Sequence, residues 1–173
     1  MSNGSIEDQL QAEWQSRPVE PSDLDSILKL IEESWKQAVE LLGPACLQIP
    51  NGTAAYGPLS FAFGSALGMR CGASLYQAHI DNLAILPKEL ANLYCFTAIR
   101  SGLDDERRSR GLYFLKLEQI LAIEDGSADE IKAAVQNALD AGREAEGMVK
   151  LFNQGLERLW KQFYMPETLA QSE

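Results

Sequence analysis

The stretch SADEIKAAVQNALDAGREAEGMVKLFNQGLERLWKQF, residues 127–163, decides the fold. Within it Ile131, Val135, Ala138, Gly142, Ala145, Val149, Phe152, Leu156, Leu159 and Phe163 recur at alternating steps of four and three. Because an α-helix turns every 3.6 residues, that spacing draws one narrow apolar stripe along a long helix, and such a stripe needs other helices to pack against. Ser127 and Glu130 form a capping box and Pro166 is the stop signal. The helix is therefore expected over about 127–165, ~55 Å long at 1.5 Å per residue, with 167–173 frayed. Its stripe is large at both ends but small in the middle, at Ala138, Gly142 and Ala145, where a helical core usually holds leucine. Either another backbone comes close there or a cavity opens over the gap, and close approach is the favoured reading.

Earlier in the chain, Pro21-Ser22 precedes Asp23 and Asp25, which suit the positive end of a helix dipole. Leu24, Leu28, Ile31, Trp35, Ala38 and Leu42 then step by four and three until Gly43-Pro44, which predicts a helix over 22–42. Before it, Ser5 and Asp8 resemble a capping box ahead of Ile6, Leu10 and Trp14, so residues 1–20 read as a docking arm. Residues 43–58 hold Pro44, Pro50, Gly52, Gly57 and Pro58 and read as a long loop, a candidate lid or recognition segment.

Residues 59–80 are ambiguous. Phe61, Phe63, Leu67, Met69, Cys71 and Leu75 alternate with small residues, which is strand-like. Yet Ser60, Gly64, Gly68 and Gly72 lie four apart, which makes a smooth face on a helix, and no strand elsewhere supplies a partner. Helix is preferred, with the glycine face laid against the waist at Ala138, Gly142 and Ala145. On that expectation Gly68→Leu and Gly142→Leu both overpack the crossing. Leu86-Pro87 opens a further helix closed by Gly102, and Asp104-Asp105-Glu106 opens another that runs through Ile123 to Gly126. The whole reads as an all-α, single-domain bundle of about five or six helices over 1–173, with one long C-terminal helix.

A chain of 173 residues with 46% hydrophobic and 23% charged residues has the composition of an ordinary globular protein. The formal charge is −10, with nine acids against three bases in residues 1–40 and Arg70 alone in residues 41–80. An acidic surface argues against nonspecific nucleic-acid binding. The uncharged run 41–69 is broken by Pro44, Pro50 and Pro58 and is too short after them for the ~20 residues of a spanning helix, so no membrane role is expected. Met1 to Asp8 lack the basic and apolar regions of a secretory signal, which points to a cytoplasmic protein. Cys46, Cys71 and Cys95 are odd in number and set among apolar residues, consistent with reduced core thiols rather than a disulfide framework.

No catalytic, nucleotide-binding or metal-binding constellation accompanies this architecture. His79 is the only histidine, and Asp81, two residues on, would not face it on a helix. Gly64-Ser65-Ala66-Leu67-Gly68 lacks the Gly-x-Ser-x-Gly order of a nucleophile elbow. Glu32-Glu33 and Asp104-Asp105-Glu106 are adjacent carboxylates, which point in different directions on a helix. Neither a metal nor a cofactor is expected. Arg107, Arg108 and Arg110 form the one basic cluster, explained either by pairing with the acids beside them or by an acidic partner or anionic ligand.

Two functional classes remain. The first is a non-enzymatic protein–protein interaction protein, such as an adaptor, an assembly or secretion-type chaperone, or a subunit of a helical complex. A homodimer is a possible form, because a helix so long has stripe to share. The second is a binder of a small apolar ligand, or a cofactor-dependent enzyme, with a pocket among Phe61, Phe63, Met69, Tyr76 and the waist at Gly142 and with Arg70 or His79 as the polar contact. The interaction protein is the preferred reading.

Overall fold

The computed structural model describes residues 5–85, 100–123 and 128–164, with the side chains of 79–85, 100–103, 160, 163 and 164 also left aside. Five helices make up the described residues: α1 (Ile6–Ser16), α2 (Pro21–Gln48), α3 (Tyr56–Ile85), α4 (Arg100–Leu121) and α5 (Asp129–Tyr164). No strand occurs among them, so the chain is an all-α bundle. The helix expected over 86–102, the Ser127 cap, Cys95 and the 167–173 tail fall wholly or largely outside the described residues.

Helices α2, α3, α4 and α5 pack in sequence order, and α5 closes the ring against α2. Each neighbouring pair is antiparallel: Gln77 on α3 donates to Asp25 on α2 at 2.7 Å, Lys116 on α4 lies over the Phe61 ring of α3, and Arg110 on α4 meets Glu146 on α5. The α5 stripe is buried from Ile131 to Phe152 and half-buried at Leu156 and Leu159, and it is wider than its spacing predicts, because Leu139, Ala141, Met148 and Leu151 are buried beside it. A two-row stripe suits a helix that touches α1, α2 and α4 rather than a single coiled-coil mate.

Three boundaries differ from the sequence expectation. Gly102 does not separate two helices at Asp104, because α4 already runs through it from Arg100. Gly43-Pro44 does not end α2, which continues to Gln48 with Pro44 inside it. Leu42 and Ala45 are both buried, so packing outweighs the backbone hydrogen bond that proline removes. The 43–58 loop thereby shrinks to the turn between Gln48 and Tyr56, where Gly52 takes a φ of 89°, a conformation that glycine adopts without strain.

The arm is anchored at both ends. Ser5 and Asp8 cap α1 reciprocally. Trp14 is buried against α5, where Arg158 donates to its backbone oxygen at 2.7 Å. Gln162 then brackets Val19, accepting from its N–H and donating to its C=O, each at 3.2 Å. Arg17 reaches forward to Asp23 at 2.6 Å, and that guanidinium holds the Asp23 carboxyl below its ordinary range. The N–H of Glu20 also donates to Asp23, at 2.7 Å.

Candidate interaction surface

The inner side of α3 is Leu59, Ala62, Ala66, Met69 and Ala73, spaced three and four apart and all buried. Alanine at three of those five positions lets α3 lie close to its neighbours. Its glycines are therefore not used inward. A Cβ placed on Gly64, Gly68 or Gly72 meets nothing within 4 Å. The expectation that this face presses on the waist of α5 is corrected: the glycines look out, and α4 supplies the close approach instead. A Cβ on Gly142 would lie 2.7 Å from Cε1 of Tyr113 and 3.2 Å from Cε1 of Phe114. The space over the waist is filled by these two rings.

Tyr113 is the hub of that crossing. Its ring stands edge-on to Trp35 at 5.2 Å and to Phe114 at 5.4 Å. Its hydroxyl donates to the Ala138 carbonyl at 2.7 Å, and burial pushes its pKa up, so it stays protonated as a donor. Two turns before it, Glu106 is nearly buried, 3.7 Å from Arg110, whose other partner is Glu146 at 3.8 Å. Glu106 Oε1 accepts no hydrogen bond. Burial raises its pKa, with Arg110 opposing and Glu146 adding to the shift.

A carboxyl held above its ordinary value binds its proton more tightly in the folded chain than in the unfolded one. The stability this supplies is present at low pH and lost as pH rises from about 4.5 through the raised value. Replacing it with Glu106→Gln removes the cost of burying the charge, so at pH 7 the variant should melt higher by about 2–4 °C, the equivalent of ~1 kcal/mol at this length. The gap should close towards pH 4.5. Melting curves at both values check this, and an equal gap at each would contradict it.

The outer side of α4 is different in kind. Leu112 and Leu115 keep 38% and 48% of their surface exposed. With Gly111, Asp104, Arg107 and Arg108 they line an open hollow of about 580 Å³. Arg107 and Arg108 make no ion pair among the described residues, whereas Arg110 is taken up internally by Glu106 and Glu146. The basic cluster thus divides, one arginine serving the fold and two left facing water. Of the seven large apolar side chains exposed among the described residues, five, Phe61, Leu67, Leu75, Leu112 and Leu115, belong to α3 and α4, and the others are Ile6 on α1 and Leu47 on α2.

The remaining sequence candidates scatter. Phe61 is exposed on the outer side of α3 beneath Lys116. Phe63 packs at Gly43 on α2, Met69 is buried in the core, and Tyr76 stacks at 6.0 Å on Phe152 of α5. Arg70 is half-buried on α3. His79 belongs to α3, but its side chain lies outside the described residues. Phe61 and Gly142 do not share a pocket, since one faces water and the other meets Tyr113. Cys71 is exposed and Cys46 half-buried, so neither is the core thiol expected. Among the described residues no group of three or more His, Cys, Asp or Glu side chains is placed to hold a metal ion.

Leu112 and Leu115 were within reach of sequence reasoning. In the run 112–123, Tyr113, Leu117 and Ile120 form one stripe at steps of four and three, which leaves Leu112 and Leu115 off it. Glu106 carries no such signal, because an acid at a helix start ordinarily stays in solvent near the dipole.

Comparison of the chain with models of known families, with curated proteins and with solved structures gives no match. No helix among the described residues is long and apolar enough to cross a membrane.

Proposed function

We propose that the chain is a non-enzymatic interaction protein whose partner docks on the outer face of α4. The observation that supports this is the hollow in which exposed Leu112 and Leu115 sit beside the solvent-facing Arg107 and Arg108. An apolar pair framed by cations suits an amphipathic protein segment that brings apolar side chains flanked by carboxylates. The chain as a whole carries −10 and would repel such an acidic segment elsewhere, so the charge pattern also favours this face.

Native mass spectrometry of the protein purified from its own cells tests the reading. The wild-type chain should carry a bound protein, and Leu112→Asp with Leu115→Asp should lose it without loss of fold, because both side chains already face water. A retained small molecule in place of a protein, or a complex that survives the double change, overturns the proposal.

A further inference from the structure

The outer side of α3 carries a second apolar seam, and it does not depend on the α4 reading. Gly57, Phe61, Gly64, Gly68, Cys71 and Leu75 are all exposed and follow one another at steps of four, three, four, three and four. They therefore form one line down the helix. Phe61 and Leu75 leave 44% and 63% of their surface in water. Nothing described within the chain requires glycine here, since a Cβ at Gly57, Gly64 or Gly68 meets no atom within 4 Å. Yet a glycine inside a helix costs about 1 kcal/mol relative to alanine.

The order of sizes along the seam names the occupant. Laid antiparallel on a second copy about a two-fold midway between Gly64 and Gly68, the seam sets Leu75 against Gly57, Phe61 against Cys71, and Gly64 against Gly68. Every large side chain then faces a small one, which is the self-complementarity that an isologous contact demands. Glycines at the centre let the two axes come inside the usual 8–10 Å of packed helices. Charge points the same way. Between residues 56 and 78 the sole charged side chain is Arg70, which is half-buried off the seam, whereas residues 1–40 hold nine acids and three bases. Lys116 of α4 lies over the Phe61 ring at the edge of the seam, and on the two-fold it falls beside the partner's Cys71, so two chains of −10 meet here without like charges opposed.

We propose that the chain forms a two-fold dimer through antiparallel pairing of α3 along Gly57, Phe61, Gly64, Gly68, Cys71 and Leu75. The seam is ~27 Å long at 1.5 Å per residue. A single helix face of that length falls short of the ~800 Å² per partner of a standard interface, so association belongs in the micromolar range.

Sedimentation velocity of the full chain from 1 to 200 μM reads the outcome. The wild type should pass from monomer to dimer across that range. Gly64→Leu with Gly68→Leu should remain monomeric throughout, while its melting temperature at 1 μM stays at or above that of the wild type, because both positions are open within the monomer. Gly57→Leu alone should weaken association at least tenfold by setting leucine against Leu75, and adding Leu75→Ala should restore it. A wild type monomeric at 200 μM overturns the proposal, as does a dimer that persists in the Gly64→Leu, Gly68→Leu chain. Neither result bears on the α4 face, which those substitutions leave untouched.

Discussion

Replacing Trp35 with alanine lowers stability by about 3–5 kcal/mol, the range for truncating a large buried aromatic side chain. Trp35 is fully buried at the middle of α2 and takes the edge contact of Tyr113 from α4, while Tyr113 binds the Ala138 carbonyl of α5. The indole thus fills the point where three helices converge. Its removal leaves a void whose wall includes a tyrosine already tethered on its far side, so the site cannot collapse easily. Tyr113→Phe separates packing from polarity. It keeps the ring and loses one buried hydrogen bond, at about 1 kcal/mol, while the Ala138 carbonyl remains within α5. Urea titrations of the three chains measure both effects. A loss below 1 kcal/mol in Trp35→Ala would show that the convergence is not the core of the bundle.

Leucine at Gly142 costs about 3 kcal/mol, at the upper end of what overpacking usually does. The added Cβ alone would meet Tyr113 at 2.7 Å. Tyr113 cannot retreat, since Trp35 stands at its ring and Ala138 holds its hydroxyl. Even alanine should therefore destabilise at this position, against its helix propensity. At Gly68, where no atom lies within 4 Å, alanine should stabilise the dilute monomer by about 1 kcal/mol. Opposite signs for Gly142→Ala and Gly68→Ala, read from melting curves, are the signature of this packing. The same sign for both would refute it.

The α2 and α5 stripes could be read directly because their large residues keep one phase of the helical period over many turns. Ile131, Val135, Val149 and Phe152 all lie where that phase puts them. The waist was likewise recognisable as a close approach, since Gly142 breaks a run of core residues. The sequence could not say which helix comes near. Small residues mark both a surface that is pressed and one that is bare, and on α3 the alanines at 62, 66 and 73 are pressed while the glycines at 64 and 68 are bare. Phase also failed at Pro44, where a local breaker yielded to the burial of Leu42 and Ala45 on either side. At the candidate surface, Arg107, Arg108 and Arg110 looked alike in sequence. Arg110 is distinguished as the internal one by its place between Glu106, one turn before it, and Glu146 from α5.

The bonds that hold α1 have a consequence for synthesis. Arg158 and Gln162 lie 144 and 143 residues from the backbone groups they bind at Trp14 and Val19. On a ribosome the arm emerges long before its dock. Trp14 must therefore wait for that contact until residue 158 has been translated, and closing so long a loop is a slow event in folding. The N-terminal arm works as a latch on the finished bundle, and a nascent chain arrested before residue 158 carries it open.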